Sequence, residues 1–361
     1  MTARLALLVR SDNRGLGRQS RDLFRHLNPA KALHIRMSNS YGAWTPYRER
    51  HEEWYPGVPS ADFNGNTGTV DEDAYRWLLT DVDVLLTAET AYDHRAWGWA
   101  REMGVRTVLV ANPEFLGPDK LAGVGPDVIV LPSPWRVATI PGAIHVPQPV
   151  DRGVFAFSPR PLGDSPRFLH VVGNRATRDR AGTDIVLDCL RFLRHRISLT
   201  IRTQGPLSAP QELMLRGLRR HQIPNVVRAD LEDPRELYAG HDVLLAPRRY
   251  GGLSLPLQES ASSGLAILAG NREPERSILP AEALVPVVAG REATFQGGTF
   301  RLEDVTPQGL AAAIDRLVED PGIISRLSEA SNRCASGIDW EVLRPRWLDM
   351  LDRTARLAVT P

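Results

Sequence analysis

Cysteine is nearly missing from this 361-residue chain: Cys189 and Cys334 are its only two. They lie too far apart for a C-x-x-C pair, which leaves no basis for a disulfide framework, a thiol redox site or a cysteine metal site. A reduced, cytoplasmic protein is expected. Lysine is as scarce, with only Lys31 and Lys120, so nearly all positive charge is arginine. Coding bias accounts for that simply, yet any cation that clamps phosphate here is then expected to be the planar guanidinium fork. No apolar run approaches the roughly 20 residues that a transmembrane helix needs, and the amino terminus runs into a short apolar strand without a signal-peptide cleavage pattern. Zinc-type His/Cys spacing, a G-x-x-x-x-G-K-[ST] loop and a G-x-S-x-G elbow are also missing. The net charge of +1 gives no bulk attraction to nucleic acid or an anionic membrane, although a local basic patch stays open.

What is present is ordinary in bulk and ordered in detail. Apolar content of 42% and charged content of 24% fit a soluble globular protein, and the length suits two domains of roughly 150 residues each. Short apolar runs alternate with helical patterns in two blocks. In the first block, runs at Leu5–Val9, Leu33–Met37, Val82–Thr87, Thr107–Ala111 and Val128–Leu131 predict strands. Helices are predicted at Gly17–Leu27, Asp71–Leu79 and Tyr92–Met103. In the second, strands are predicted at Phe168–Val172, Ser198–Arg202, Val226–Arg228, Val243–Ala246 and Ala266–Ala269. Helices there fit Thr183–Leu193, Gln211–His221, Pro234–Tyr238 and Leu257–Ser263. Such alternation means parallel sheets covered on both faces, with ligands at the carboxyl ends of the strands. Proline-rich stretches at 146–151 and 158–166 read as a linker, giving domains over residues 1–150 and 151–339. Asp339 caps a last helix over 340–361.

The richest stretch is Ala246-Pro247-Arg248-Arg249-Tyr250-Gly251-Gly252-Leu253-Ser254-Leu255-Pro256-Leu257-Gln258-Glu259, closing at Gly264. A strand enters a loop of small residues, a helix opens at a proline, and a carboxylate sits one turn inside. Backbone N–H groups at such a helix start favour negative charge. Gly251 and Gly252 permit close approach of a ligand, and Glu259 suits hydroxyls. Phosphate donors beside a hydroxyl-reading carboxylate describe a nucleotide-sugar site.

This stretch resembles the signature of the retaining GT-B glycosyltransferases of the large family four type (glycosyl transferases group 1), Glu-Gly-Phe-Gly-Leu-Pro-x-x-Glu-Ala-x-Ala-x-Gly. Leu255-Pro256, Glu259 and Gly264 match in register, while Gly251 stands where the family has its first Glu and Leu253-Ser254 where it has Phe-Gly. The resemblance implies an α/β GT-B fold, two Rossmann-like, doubly wound parallel-sheet domains facing a cleft, with the terminal helix returning to the first domain. It implies Glu259 as the ribose ligand and leaves the sugar to backbone amides near Gly251, Gly252, Leu253 and Ser254 or to other residues.

Other segments resemble the family more loosely. Val171-Val172-Gly173-Asn174-Arg175, then Arg178-Asp179-Arg180-Ala181-Gly182-Thr183-Asp184, is similar to the family's Val-Gly-Arg and Lys-Gly-x-Asp. It implies Arg175 and Arg180 as the pair that embraces the diphosphate, with Gly173 beside them and Arg178 solvated. An exposed loop decorated with arginines is the other reading. Asp230-Leu231, after the strand Val226–Arg228, is implied to line the base pocket. Gly15 and Gly17, after the first strand, match the family's glycine loop facing the donor, and equally suit a tight strand-to-helix turn. On the acceptor side, Glu89, Asn112 and Glu114 follow first-domain strands and are placed to receive hydroxyls, or to cap loops. The aromatic-rich stretch from Asn39 through Trp44 and Tyr47 to Trp54 and Tyr55 reads as an ordered functional loop. Asp81-Val82-Asp83 has the D-x-D form of a metal site but lies at a strand start, away from ligands. Metal-independent chemistry is therefore expected, with no cofactor beyond the nucleotide-diphosphate sugar donor.

The expected function is transfer of a sugar from that donor to an acceptor hydroxyl with retention. The acceptor is open among glycans, small molecules, proteins and hydroxylated DNA bases. Two alternatives stand beside it: a non-catalytic nucleotide-sugar binder, and an epimerase or phosphorylase on the same fold.

Overall fold

The computed structural model describes residues 2–37, 49–117, 124–159, 165–173, 179–295 and 298–358. It divides into two compact units: Met1–Gln148, Thr294–Gly298 and Trp340–Pro361 form the first, and Pro149–Ala293 with Thr299–Asp339 the second.

The first unit runs β1 (Leu5–Val9), α1 (Gly15–Leu27), β2 (Lys31–Arg36), α2 (His51–Trp54), β3 (Ser60–Asp62), α3 (Glu72–Leu79), β4 (Val84–Ala88), α4 (Ala96–Glu102), β5 (Arg106–Val110), β6 (Val128–Leu131) and β7 (Ala143–His145). Its seven strands are parallel, in the order β3-β2-β1-β4-β5-β6-β7. Every residue of β1, β4 and β5 is buried, and apart from Thr87, Arg106 and Thr107 these strands are apolar, because helices cover both faces of the sheet. Asp71 caps α3 by accepting from the Asp73 N–H at 3.0 Å, removing one of the orphan donors at the helix start. The expected helix over Tyr92–Met103 begins later, at Ala96. Tyr92 stands at φ 64°, and Asp93 spends its carboxylate on the Arg95 N–H and guanidinium, so the first residues form a turn.

The second unit runs β8 (Arg167–Gly173), α5 (Thr183–Cys189), β9 (Ser198–Thr203), α6 (Ala209–Arg216), β10 (Asn225–Arg228), β11 (Val243–Ala246), α7 (Leu255–Ser263), β12 (Ala266–Gly270), α8 (Glu275–Ile278), β13 (Leu284–Val285), the strands β14 (Val287–Phe295) and β15 (Gly298–Val305), then α9 (Pro307–Glu319) and α10 (Gly322–Ser336). Six strands are parallel in the order β10-β9-β8-β11-β12-β13. Renumbered from β8, that is the same order as in the first unit, 3-2-1-4-5-6, and it defines a doubly wound α/β sheet. The expected helix Pro234–Tyr238 is a 3-10 turn over Pro234–Leu237. The paired strands β14 and β15 and the helices α9 and α10 occupy a region for which the sequence reading offered no element.

The last helix, α11 (Trp340–Ala355), belongs to the first unit. Trp340 stacks on the His26 ring of α1 at 4.6 Å, and the Trp347 indole donates to the Pro147 carbonyl at 3.1 Å. Burying both indoles while satisfying one N–H holds the chain end against α1.

Candidate functional site

In a 3-2-1-4-5-6 sheet the connections leave strands 1 and 4 in opposite directions, and a crevice opens between their carboxyl ends. In the second unit those strands are β8 and β11. The segments that follow them, described over 179–182 and 247–254, belong to the two arginine- and glycine-rich stretches of the sequence.

Packing between the two loops is tight. A Cβ on Gly182 would lie 2.2 Å from the Pro247 carbonyl oxygen, and Gly182 has φ +75°. Only glycine meets both demands. The Arg249 N–H donates to the Arg180 carbonyl at 3.1 Å. His170, buried on β8, contacts the Leu245 carbonyl through Nδ1 at 2.9 Å and the Thr183 hydroxyl through Nε2 at 3.1 Å. Burial lowers its pKa to about 4, so the ring is neutral. Nδ1–H therefore donates to the carbonyl while Nε2 accepts from the hydroxyl.

Arg249 is the electrostatic centre of this arrangement. Its guanidinium meets Asp184 at 2.8 Å, Asp304 at 2.8 Å and Asp179 at 3.3 Å, with its side chain only 14% exposed. Asp179 also accepts from the Thr183 and Asp184 N–H groups at 2.7 Å, so it caps α5. Burial alone would raise Asp179, but those hydrogen bonds and Arg249 hold it below the usual carboxylate range. Burial and the neighbouring Asp179 push Asp184 up.

Arg248 shapes the turn itself, donating to the Leu253 carbonyl at 2.8 Å and the Tyr250 carbonyl at 3.4 Å. Gly251, between them, has φ 121°, a region that L side chains rarely adopt. The chain then enters α7 from Ser254 in extended geometry, with Pro256 in the first turn. Glu259 is buried in α7, and its carboxylate accepts from the Tyr238 hydroxyl. Asp230, exposed at the end of β10, accepts from Gln204 Nε2 at 3.1 Å, and Leu231 is half-buried.

Of the sequence-derived set, Arg180, Gly173, Gly251, Gly252, Leu253 and Ser254 lie on or beside the two loops at the β8/β11 crevice, and Glu259 one turn inside α7. Arg175, Asn174 and Arg178 lie outside the described residues. Arg248, Arg249, Tyr238 and His170 organise the site and were not singled out, although the two arginines stand inside the quoted signature.

In the first unit, Gly17 makes room for protein: a Cβ there would lie 2.0 Å from the Asp12 carbonyl oxygen. Gly15 is exposed at the start of α1. At the ends of neighbouring β4 and β5, the Asn112 amide donates to Glu89, and Glu89 sits at φ 60°. Glu114 is wholly buried in the 3-10 turn that follows. Burial lowers the Arg136 guanidinium, and Glu114 opposes that shift. Asp83, of the D-x-D triplet, accepts from the Arg4 N–H at 2.7 Å at the amino end of β4. Of the aromatic loop, Trp54 and Tyr55 are buried, while Asn39 through Tyr47 lie outside the described residues.

Comparison with solved structures places this architecture. Anabaena HepE, solved with UDP and glucose, superposes with a TM-score of 0.67 at 12% identity over 97% of this chain and 99% of its own. Sucrose-phosphate synthase from Thermosynechococcus elongatus gives 0.66 at 14% identity over 97% and 98%. The fold is that of the GT-B glycosyltransferases. Residues 166–320, most of them in the second unit, match the model of the family Glycosyl transferases group 1. A protein of Sulfolobus islandicus filamentous virus, whose name gives its glycosyltransferase activity as provisional, is 30% identical over 156 residues, 39% of this chain. The chain spans 40% of the length of that relative.

Proposed function

We propose that this protein transfers a sugar from a nucleoside diphosphate sugar to an acceptor hydroxyl, with retention at the anomeric carbon and without a metal ion. The observation that carries this reading is the β8/β11 crevice of a Glycosyl transferases group 1 domain, flanked by Arg180 on one loop and a glycine turn opening a helix on the other. Negative charge builds on the departing diphosphate. Arg180 and Arg175, with the amides around Gly251–Ser254, oppose that charge in a preorganised way, which replaces a divalent cation. Glu259, buried one turn inside α7 and held by the Tyr238 hydroxyl, is the carboxylate that orients the ribose in this reading. Glu89 and Asn112 are the acceptor-side candidates. HepE is solved with UDP-glucose, so UDP and UDP-glucose are the first ligands to try.

Calorimetry with UDP, ADP and GDP, followed by turnover of the matching sugar donor with and without EDTA, tests the proposal. One nucleotide is expected to bind, Glu259→Gln to weaken it about tenfold, and EDTA to leave turnover unchanged. Failure of every nucleoside diphosphate to bind overturns the reading.

One observation favours a second reading, a nucleotide-sugar binder without turnover. Gly251 replaces the Glu of the family signature in a backbone conformation that a Glu would occupy only under strain. Tight donor binding with no cleavage in the presence of any acceptor supports it.

A further inference from the structure

The opposite end of the second sheet carries a feature that sugar transfer does not use. Residues 191–223 hold seven arginines against one carboxylate, Glu212, a net charge of +6 in a chain whose total is +1. The fold concentrates this charge. The turn after α5 and the turn after α6 meet around a cavity of about 230 Å³ whose walls include Arg194, Arg196, His221 and Ile223. Gln222 Nε2 donates to the Leu190 carbonyl at 2.6 Å, and Arg191 Nη2 lies 3.4 Å from the position a Cβ on Gly217 would take. Arg191, Arg194, Arg196, Arg216, Arg219 and Arg220 are all exposed. Arg191 reaches Asp188 at 3.7 Å, and Arg194 reaches Asp315 and Glu319. Arg196, Arg216, Arg219 and Arg220 have no carboxylate partner among the described residues. Large apolar side chains of the same segment are exposed as well: Leu213 is 70% exposed, Ile223, in the wall of that cavity, 54% and Phe192 43%.

We propose that this face docks the protein on an anionic phospholipid bilayer. Unpartnered guanidiniums are drawn to the negative surface potential of such a leaflet. Leu213, Ile223 and Phe192 can enter the headgroup–acyl boundary, as the apolar residues of interfacial helices do. That second element decides between polyanions. A nucleic-acid backbone would use the arginines but would give exposed Leu213 and Ile223 no partner. No helix among the described residues is long and apolar enough to cross a membrane.

Co-sedimentation of the whole protein with vesicles tests the proposal. Partition onto mixed phosphatidylglycerol–phosphatidylcholine vesicles is expected to exceed that onto pure phosphatidylcholine at least about tenfold, and to fall as salt rises. The double variant Arg219→Glu/Arg220→Glu is expected to lose that excess with its far-UV dichroism and Tm unchanged. Leu213→Ser is expected to weaken binding by a few-fold. Equal partition onto both vesicle types, undiminished binding by the double variant, or retention on single-stranded DNA without retention on vesicles overturns it.

Discussion

The two units share a strand order and differ in what their crevice loops are occupied with. In the first, the loop after β1 is turned inward. Arg10 pairs with Asp12 at 2.5 Å, Ser11 meets the His34 ring at 2.8 Å, and the Asp12 carbonyl fills the space left by Gly17. In the second, Arg249 and Gly182 lock the backbones of the two loops together, with Arg180 on one loop and the Gly251–Ser254 turn on the other. Topology alone therefore supplies two crevices, and different side chains satisfy the loops at each.

The largest effects expected test whether both crevices rest on backbone contact. Gly17→Ala and Gly182→Ala each place a methyl about 2 Å from a carbonyl oxygen, and Gly182 adds a left-handed φ. Each is expected to lose more than about 3 kcal/mol in chemical denaturation. A loss under about 1 kcal/mol at either glycine would break the claim for that unit. Next in size, Arg249→Met strands Asp179, Asp184 and Asp304, and about 3 kcal/mol is expected to go. Adding Asp184→Asn to Arg249→Met removes one stranded charge, so part of the loss should return. Simple additivity of the two changes would show that the network is not coupled.

Much of this architecture is legible from the residues, and the failures have physical causes. Leu5–Val9, Val128–Leu131 and Val243–Ala246 are read to the residue because each is apolar throughout, as suits a strand covered on both faces, and only Val128 among them is half-buried. The pair β14 and β15 escaped because β14 mixes half-buried and exposed positions in no strict alternation and has no buried face, so no period of two marks it. The site loops are legible as composition, through glycine, proline and arginine. The work of Arg249 is not, because one of its partners, Asp304, lies 55 positions away and is brought near only by β15. Glu259 is readable from its signature, but the Tyr238 hydroxyl that holds it comes from the segment before β11.

Acid sharpens the comparison further, since His34 in the first unit and His170 in the second are both buried and neutral. Burial lowers His34 to about 3, with His51, Arg36 and Arg10 adding to the shift, and lowers His170 to about 4. Both folded values lie below the unfolded value of about 6.5, so the unfolded chain takes up protons first. Stability from these groups is full above about pH 6.5 and is lost as pH falls towards 4 and 3. Each contributes about 1.4 kcal/mol per pH unit in that window, or about 2 kcal/mol by pH 5. His170→Gln should remove its share of the slope while leaving that of His34, as read by denaturation at a series of pH values. An unchanged slope would mean that His170 is not buried and neutral.

The smallest effect separates the two units by the kind of acceptor each buried tyrosine meets. Tyr55 donates to the Arg10 carbonyl at 2.8 Å in the first unit, and Tyr238 to the Glu259 carboxylate in the second. Hydrogen bonds to charged groups are worth about twice those to neutral ones. Tyr55→Phe is expected to cost about 1 kcal/mol and Tyr238→Phe about 2 kcal/mol. The second change should also alter ligand affinity, because it removes a hydrogen bond that positions the Glu259 carboxylate, whereas Tyr55→Phe should not. If both variants lose equal stability and nucleotide affinity is the same in each, Glu259 is a structural carboxylate and the ribose is read elsewhere.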